Sequence, residues 1–240
     1  MGYIDIHSHI LPGVDDGSRS MEQSLEILKK ASENGIREII LTPHNKAEHR
    51  NVSVEGIHRR LGELQKAALD REIPVTLYPG TEIFYRDGVV EMLEEGELCT
   101  LAGSRYVLVE FLPLEQFAYI RAAIYELVSG GFIPILAHVE RYACMAASMD
   151  NVRHAIDRGA LIQINASTVT GGMGLKGKQI VKKMLKEHLV HFVATDTHDE
   201  GKRGPNIKEC AQYLSKKFGD DYAAEILHDN AQLVIRGEMI

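Results

Sequence analysis

The chain has 240 residues, of which 45% are hydrophobic and 25% charged, a globular composition long enough for one large domain or two small ones. Its formal net charge of −7 and its lack of Lys- or Arg-rich tracts argue against a nucleic-acid partner. No signal segment is recognisable, and no apolar run approaches the roughly 20 residues that span a bilayer. The three cysteines are widely scattered, which favours a reducing compartment, so we expect a cytoplasmic protein without membrane insertion.

Seven short runs rich in Ile and Val predict buried parallel strands, since such strands are covered on both faces. In chain order these runs are 3–7, 37–44, 73–82, 105–111, 132–140, 160–165 and 189–198. Most runs close on a polar residue. The predicted strand ends are 27 to 38 positions apart, and they are His9, His44, Glu82, Glu110, His138, Asn165 and Asp196. Such intervals suit one strand and one helix each.

Amphipathic segments between the runs predict helices. In the first, 18–35, Ser20 is a candidate N-cap, Leu25 and Leu28 share one face, and Gly35 ends the helix. Further helices are predicted over 53–71, 115–131, 151–159, 177–189 and 205–218. No linker or repeat divides the chain, so we predict a single α/β domain over residues 1–240, with about seven parallel strands.

Polar residues at the strand ends carry the candidate chemistry. Six of the seven predicted strand ends are His, Asp or Glu, and the seventh is Asn165. The carboxyl ends of strands in a closed parallel barrel meet at one mouth, so a barrel is favoured over an open sheet. Unpaired acids buried there are costly, and metal ions compensate for them. The candidate metal ligands are His7, His9, Asp16, His44, Glu82, Glu110, His138, Asp196 and His198.

This ligand set predicts a multinuclear site next to two arginines. One catalytic ion takes three or four protein ligands, so nine ligands indicate about two or three divalent ions, with Mn, Fe or Zn all compatible with imidazole and carboxylate. Arg141 and Arg203 follow His138 and His198 closely, and a guanidinium at the rim can hold phosphate oxygens. Ions roughly 4 Å apart activate water and hold phosphoryl oxygens, so the sequence predicts hydrolysis of a phosphoric ester.

The segments DIHSH, DDG, TPH, GTEI, VEF, AHVERY and TDTH together resemble the PHP (polymerase and histidinol phosphatase) superfamily. Within it, the chain is most similar to the bacterial manganese-dependent protein-tyrosine phosphatases of capsule and exopolysaccharide synthesis. The resemblance implies a distorted (β/α)7 TIM-like barrel. It also implies a phosphotyrosine protein as substrate, namely the bacterial tyrosine kinase that regulates polysaccharide export. We expect a metal-bridging hydroxide to attack phosphorus directly, without a phosphoenzyme.

The resemblance also implies roles for individual residues around three ions, most readily Mn. By matched motif, the ligand sets are His7, His9, Glu82 and Asp196 for one ion, Glu82, Glu110 and His138 for a second, and Asp16, His44 and His198 for a third. The DDG pattern selects Asp16 over Asp15, which spacing alone leaves open. Arg141 and Arg203 match the phosphate-binding arginines and are the predicted catalytic residues. No role follows for Asn165 or for the glycine-rich segment 171–177, and the oligomeric state stays open.

Other motifs carry weaker predictions. Cys99 and Arg105 fit the C-x5-R pattern of cysteine-dependent phosphatases, but Cys99 follows the polar EEGEL, so we expect an unreactive loop cysteine. The glycine pattern over 172–177 resembles nucleotide-binding loops but lacks the Mg-binding Ser or Thr, which favours a rim loop. Phe117, Tyr119 and Tyr125 are predicted as helix core. The histidines predicted to lie away from the mouth are His49, His58, His154, His188, His191 and His228.

Two alternative functions remain open at this point. The same metal site could serve a small-molecule phosphatase, such as a histidinol-phosphate phosphatase, or a nuclease, although the acidic net charge argues against nucleic acid. The second alternative is a non-catalytic binding module with structural metals. A structural metal site leaves no ligand position open, whereas this ligand set is rich in carboxylates that ions can share. This difference argues against the binding module.

Overall fold

The computed structural model describes residues 2–46 and 51–240, and each of the seven predicted runs contains a strand. The strands are β1 (Tyr3–Asp5), β2 (Ile36–Leu41), β3 (His44–Asn45), β4 (Thr76–Pro79), β5 (Glu82–Phe84), β6 (Tyr106–Glu110), β7 (Ile133–Leu136), β8 (Leu161–Asn165) and β9 (Phe192–Ala194). The predicted runs 37–44 and 73–82 are each interrupted, so that β2 and β3, and likewise β4 and β5, follow one another closely.

The α-helices surround these strands. They are α1 (Met21–Glu33), α2 (Val54–Asp70), α3 (Val89–Glu94), α4 (Phe117–Ser129), α5 (Ala143–Ala147), α6 (Met149–Asp157), α7 (Ala166–Thr170), α8 (Gly174–Lys186), α9 (Ile207–Phe218), α10 (Asp220–Ala224) and α11 (Asn230–Arg236). Short 3-10 turns cover Leu101–Gly103 and Val139–Arg141, and a π-helical turn covers Glu225–Asp229. The six predicted helices are confirmed as α1, α2, α4, α6, α8 and α9. The others have only five to seven residues, too few for a periodic pattern.

Serine caps begin α1 and α2, the first two helices of the chain. The Ser20 hydroxyl accepts the N–H of Gln23 at 3.2 Å, as predicted, and Ser53 accepts the N–H of Gly56 at 3.1 Å. Each contact satisfies one of the free N–H groups of a first helical turn.

The prediction that Tyr119 and Tyr125 belong to the helix core is wrong. Their exposed fractions are 37% and 66%, because the core-facing side of α4 is formed by other residues. Those residues are Ile120, Ala123, Ile124 and Leu127. Phe117 is partly buried against the core.

All strand pairs are parallel, and the strands form a curled sheet in two hydrogen-bonded parts. One hydrogen-bonded order is β1-β2-β4 and the other is β3-β5-β6-β7-β8-β9. Beyond the end of β1, Ser8 forms a parallel bridge with Thr197, and the N–H of His9 donates to the Thr197 carbonyl at 2.8 Å. The carboxyl ends of strands far apart in sequence are therefore brought together in one mixed α/β domain.

The alternation of side chains on β6 explains how a carboxylate reaches the mouth. Val107 and Val109 face the main core under the helices, whereas Tyr106 and Leu108 belong to a second apolar cluster on the other face. Because side chains alternate along a strand, Glu110 falls on the same face as Leu108. Within the described ranges, no helix is both long enough and apolar enough to cross a membrane.

Candidate metal centre

The structure places the nine predicted ligand side chains at the carboxyl end of the sheet. The ligating atoms form three groups, and within each group all of the atoms lie within 4.8 Å of one another. These groups are His9, Asp16, His44 and His198; His7, His9 and Glu82; and His44, Glu82 and Glu110. The other two predicted ligands adjoin them: His138 Nε2 is 3.0 Å from Glu82 Oε1, and Asp196 Oδ1 is 3.5 Å from His9 Nε2. The geometry thus shares His9 and His44 between groups, which the motif assignment did not anticipate.

Glu82, the first residue of β5, lies at the centre of the cluster and is fully buried. Its Oε1 is 3.2 Å from His7 Nε2, and its Oε2 is 3.2 Å from His9 Nε2 and 2.8 Å from His44 Nδ1. Burial raises the pKa of Glu82, but the charge of His7 and close contacts with His138, His44 and His7 hold it well below its usual range. The carboxylate is therefore ionised, and it would be available to hold a metal ion.

His44 lies between two groups of acids. Burial lowers the pKa of His44, but close contacts with the carboxylates of Asp16, Glu110 and Glu82 outweigh burial and raise this pKa to about 10. Because an imidazole must lose its proton to bind a metal, metal binding at His44 is coupled to proton release.

Gln163 on β8 orients two of the histidines. Its Oε1 lies 3.1 Å from His7 Nδ1 and accepts the backbone N–H of His138 at 2.8 Å. This contact places the His7 proton on Nδ1 and leaves Nε2 free to face the cluster. Gln163 was not among the residues predicted from the sequence, where its alternation with Asn165 at i and i+2 was the available signal.

Asp15 orients His9, whereas Asp16 faces the cluster. Asp15 Oδ2 is 2.8 Å from His9 Nδ1 and accepts the N–H of His44 at 3.1 Å. Asp16 Oδ1 instead lies 3.3 Å from His44 Nε2. The loop returns very close to β1, since a Cβ at Gly17 would lie 2.0 Å from the His9 carbonyl oxygen. The two acids of the DDG motif therefore have different roles, and only Asp16 belongs to a ligand group.

Backbone strain accompanies two of the predicted ligands. Asp196 has a φ of +54° and His138 a φ of +35°, in a left-handed region that side chains with a Cβ disfavour. Each residue lies two positions beyond the end of its strand, β7 or β9. The carbonyl oxygen of Asp196 lies 2.9 Å from His198 Nδ1, which leaves His198 Nε2 toward Asp16 at 3.5 Å.

The donor set fits divalent metal ions. Across the described residues, the buried atoms without a hydrogen-bond partner include His44 Nδ1, Glu82 Oε2, Glu110 Oε1 and His198 Nε2. A buried polar atom left in this way costs about 1–3 kcal/mol, and coordination to a cation removes that cost. Oxygen and imidazole nitrogen donors suit Mn, Fe or Zn.

Both predicted phosphate-binding arginines lie against this cluster. Arg141 Nη2 is 3.0 Å from Asp196 Oδ2, and Arg203 Nη2 is 3.5 Å from Asp196 Oδ1. Their side chains are 36% and 43% exposed, so the remaining N–H groups are accessible to a ligand. A cavity of about 70 Å³ opens between them, lined also by Asn165, Thr195 and Gly204. This small space with two guanidinium groups suits a compact oxyanion.

Asn165 gains a role that the sequence left open. Its Nδ2 donates to Asp196 Oδ2 at 2.9 Å, and its Oδ1 accepts from Gln163 Nε2 at 2.9 Å. Buried Glu140 accepts the backbone N–H of Asn165 at 3.0 Å. Asn165 therefore orients the carboxylate that both arginines contact.

The other motifs have no part in this site. Cys99 is buried, and burial raises the pKa of its thiol to about 11, so it is not a reactive thiolate. Arg105 donates to the Gly131 carbonyl at 2.7 Å, away from the cluster. The glycine-rich segment 171–177 is not only a rim loop, because α8 begins inside it at Gly174.

The remaining histidines lie away from the mouth where the structure describes them. His58 and His154 are on α2 and α6, His188 follows α8, His191 precedes β9, and His228 lies in the π-helical turn. His49 falls outside the described residues.

Fold and site together define an α/β protein with a carboxylate–imidazole centre and two arginines at the carboxyl ends of parallel strands. More particularly, the chain belongs to the family described as capsular polysaccharide synthesis, CpsB/CapC, which matches residues 3–236. It is 33% identical over 239 residues to the tyrosine-protein phosphatase YwqE of Bacillus subtilis, covering 99% of this chain and 93% of YwqE. It is also 33% identical over 242 residues to the tyrosine-protein phosphatase CpsB of Streptococcus pneumoniae, covering 99% of this chain and 100% of CpsB.

Solved structures agree with the family assignment. One crystal structure, from work on YwqE of Bacillus subtilis and CpsB of Streptococcus pneumoniae as metal-dependent tyrosine phosphatases, has a TM-score of 0.94 at 32% identity. The match covers 99% of this chain and 96% of that one. A phosphotriesterase homology protein from Escherichia coli has a TM-score of 0.63 at 12% identity, a likeness of fold alone.

Proposed function

We propose that this chain is a metal-dependent protein-tyrosine phosphatase of capsular or exopolysaccharide synthesis, acting in the cytoplasm on a phosphotyrosine protein, namely a bacterial tyrosine kinase. The observation that carries the proposal is the convergence of nine imidazole and carboxylate groups beside a cavity lined by Arg141 and Arg203. The names of the full-length relatives support the phosphotyrosine substrate. The free thiols of all three cysteines support a reducing compartment.

We further propose that residues 1–240 form one distorted (β/α)7 barrel. The nine strands of the described residues, which overlap the seven predicted runs, and the bridge between Ser8 and Thr197 support closure. About two or three divalent ions, with Mn preferred over Fe or Zn, would be held by the predicted set. That set is His7, His9, Asp16, His44, Glu82, Glu110, His138, Asp196 and His198. Bound ions would supply an activated water and offset phosphoryl charge.

The chain's own residues would hold the phosphoryl group. Arg141 and Arg203 approach from one side, where their N–H groups can donate to the non-bridging oxygens. Asn165 and the two arginines fix the Asp196 carboxylate between the phosphate cavity and the histidines. Phenolate is a good leaving group, with a pKa of about 10, so no dedicated general acid is required.

Hydrolysis assays after chelation test this function. The stripped protein, with and without added Mn, is assayed on a phosphotyrosine peptide, histidinol phosphate and single-stranded DNA. The proposal predicts Mn-dependent release of phosphate from the peptide and much slower turnover of the other two. Turnover that is unaffected by stripping would refute the metal mechanism, and a preference for histidinol phosphate would identify a small-molecule phosphatase instead.

A further inference from the structure

A second, larger depression adjoins the phosphate cavity. It has a volume of about 490 Å³, compared with about 70 Å³ for the cavity, and the two share Ser167, Lys202 and Asn206 as walls. We call this depression the flanking groove. Its remaining walls are Asn34, Thr170, Gly172, Lys208, Glu209 and Gln212. The groove therefore lies next to the space in which the arginines would hold a phosphate.

The chemistry of the flanking groove suits a polypeptide. Its walls carry amide and hydroxyl groups, which can pair with the one donor and one acceptor that each peptide unit offers. Two lysines, Lys202 and Lys208, face a single acid, Glu209, so the groove is locally basic on a chain whose net charge is −7. Its volume lies within the range of about 300–1,000 Å³ that is typical of organic-ligand sites, far more than a phosphate needs.

Hydrogen bonds within its own loop and with α1 hold the groove wall that carries Lys202. Asp199 Oδ1 accepts the N–H groups of Gly201 at 2.6 Å and Arg203 at 3.1 Å. Lys30 Nζ, on α1, donates to the Glu200 carbonyl at 2.7 Å. Since the same short loop supplies Arg203 to the phosphate cavity and Lys202 to the groove, the two binding regions keep a fixed separation.

A close backbone turn shapes the part of the groove wall that contains Ser167 and Gly172. The N–H of Gly172 donates to the Ser167 carbonyl at 2.6 Å, and a Cβ at Gly172 would lie 2.9 Å from that oxygen. The glycine is thus required for the turn that leads from α7 toward α8. Part of the glycine-rich segment therefore forms a fixed surface of the groove.

We propose that the flanking groove binds the polypeptide segment next to the phosphotyrosine, and that Lys202 and Lys208 favour acidic residues in that segment. This inference rests on the proposed phosphatase activity and specifies its substrate as an extended, acidic phosphopeptide. Binding in the groove adds affinity away from the reacting phosphorus, which distinguishes a protein substrate from a small phosphoester.

Charge reversal in the groove provides the test. Lys208→Glu changes a groove residue that does not line the phosphate cavity. The matched control is Lys217→Glu, an exposed position on the same helix, nine residues or about two and a half turns away and thus on the opposite face. Each protein, loaded with Mn, is assayed on a phosphotyrosine peptide flanked by Glu, the same peptide flanked by Ala, and p-nitrophenyl phosphate.

We expect Lys208→Glu to lower kcat/KM about fivefold on the Glu-flanked peptide, through KM, and to leave the other two substrates and all Lys217→Glu values unchanged. Equal losses of kcat/KM in both variants, or no loss in Lys208→Glu, would overturn the proposed role of the groove and leave the phosphatase function intact. If the wild-type protein hydrolyses none of the three substrates, the proposed function fails and this inference fails with it.

Discussion

The two ends of the parallel sheet shift the pKa of a half-buried histidine in opposite directions. At the carboxyl end, His44 is surrounded by acids, which overcome burial and raise its pKa to about 10. At the amino end, His191 lines an apolar cavity of about 590 Å³, and burial lowers its pKa to about 4. There, His191 Nδ1 accepts the N–H of Ile162 at 3.1 Å, so the neutral ring serves as a structural acceptor.

This contrast assigns binding to the carboxyl ends of the strands and stability to their amino ends. The carboxyl end gathers charges that burial alone would penalise, which is useful only where a cation or an anion is bound. The amino end contains neutral contacts, such as the Tyr106 hydroxyl that donates to the Glu238 carbonyl at 2.8 Å. Substitutions at the first end should therefore remove activity, and those at the second should change stability.

Replacing the central carboxylate should have the largest effect. Glu82→Gln keeps the shape of the side chain but removes the charge that four histidines contact. We expect hydrolysis of a phosphotyrosine peptide to fall more than about 100-fold, beyond the 10- to 100-fold typical of outer-shell changes. Circular dichroism should show a retained fold, and activity close to that of wild type would contradict a central role for Glu82.

Removing the orienting amide should have the next largest effect. Gln163→Leu deletes the acceptor for His7 Nδ1 and for the His138 N–H, so Mn affinity measured by calorimetry should weaken about 10- to 100-fold. Gln163→Glu retains an acceptor at both contacts and should lose less. Equal Mn affinities in the leucine variant and the wild type would show that Gln163 has only a packing role.

At the amino end, acid should act through His191. Its folded pKa of about 4 lies below the usual 6.5, so its contribution to the free energy of unfolding is complete above pH 6.5 and is lost as the pH falls toward 4. The loss amounts to at most about 3 kcal/mol. His191→Gln keeps an acceptor without titrating, and its urea-unfolding free energy should decline less over this window. Parallel declines in both proteins would contradict the assignment.

The smallest effect is expected at Cys99, where the C-x5-R pattern suggested different chemistry. Its thiol is buried with a pKa raised to about 11, and it belongs to the main core. Cys99→Ala should leave the kcat for phosphotyrosine hydrolysis unchanged and lower only the thermal stability. Loss of activity in Cys99→Ala with normal metal content would instead support a cysteine-dependent phosphatase mechanism.

The sequence predicted the strands and the ligand candidates because both leave local patterns. The apolar runs are short but continuous, and each places a polar residue at the same end of a strand. The short helices escaped prediction because one or two turns show no period. The different roles of Asp15 and Asp16 could not be read from spacing either, since they depend on which way the loop turns at Gly17.

The supporting network was also beyond the sequence. Gln163 contacts His7 across 156 positions, and Asn165 contacts Asp196 across 31, so neither contact is visible as a local motif. The sharing of His9 and His44 between ligand groups likewise depends on the curl of the sheet. Residue type and strand position predicted which side chains meet, but not how they orient one another.

Anomalous diffraction at the manganese edge, from crystals grown with Mn, measures the central claim directly. The account predicts strong peaks within coordination distance of Glu82, one shared with His7 and His9 and another with His44 and Glu110, about two or three in all. A map without a peak between these side chains, from crystals of well-folded protein at saturating Mn, would contradict it.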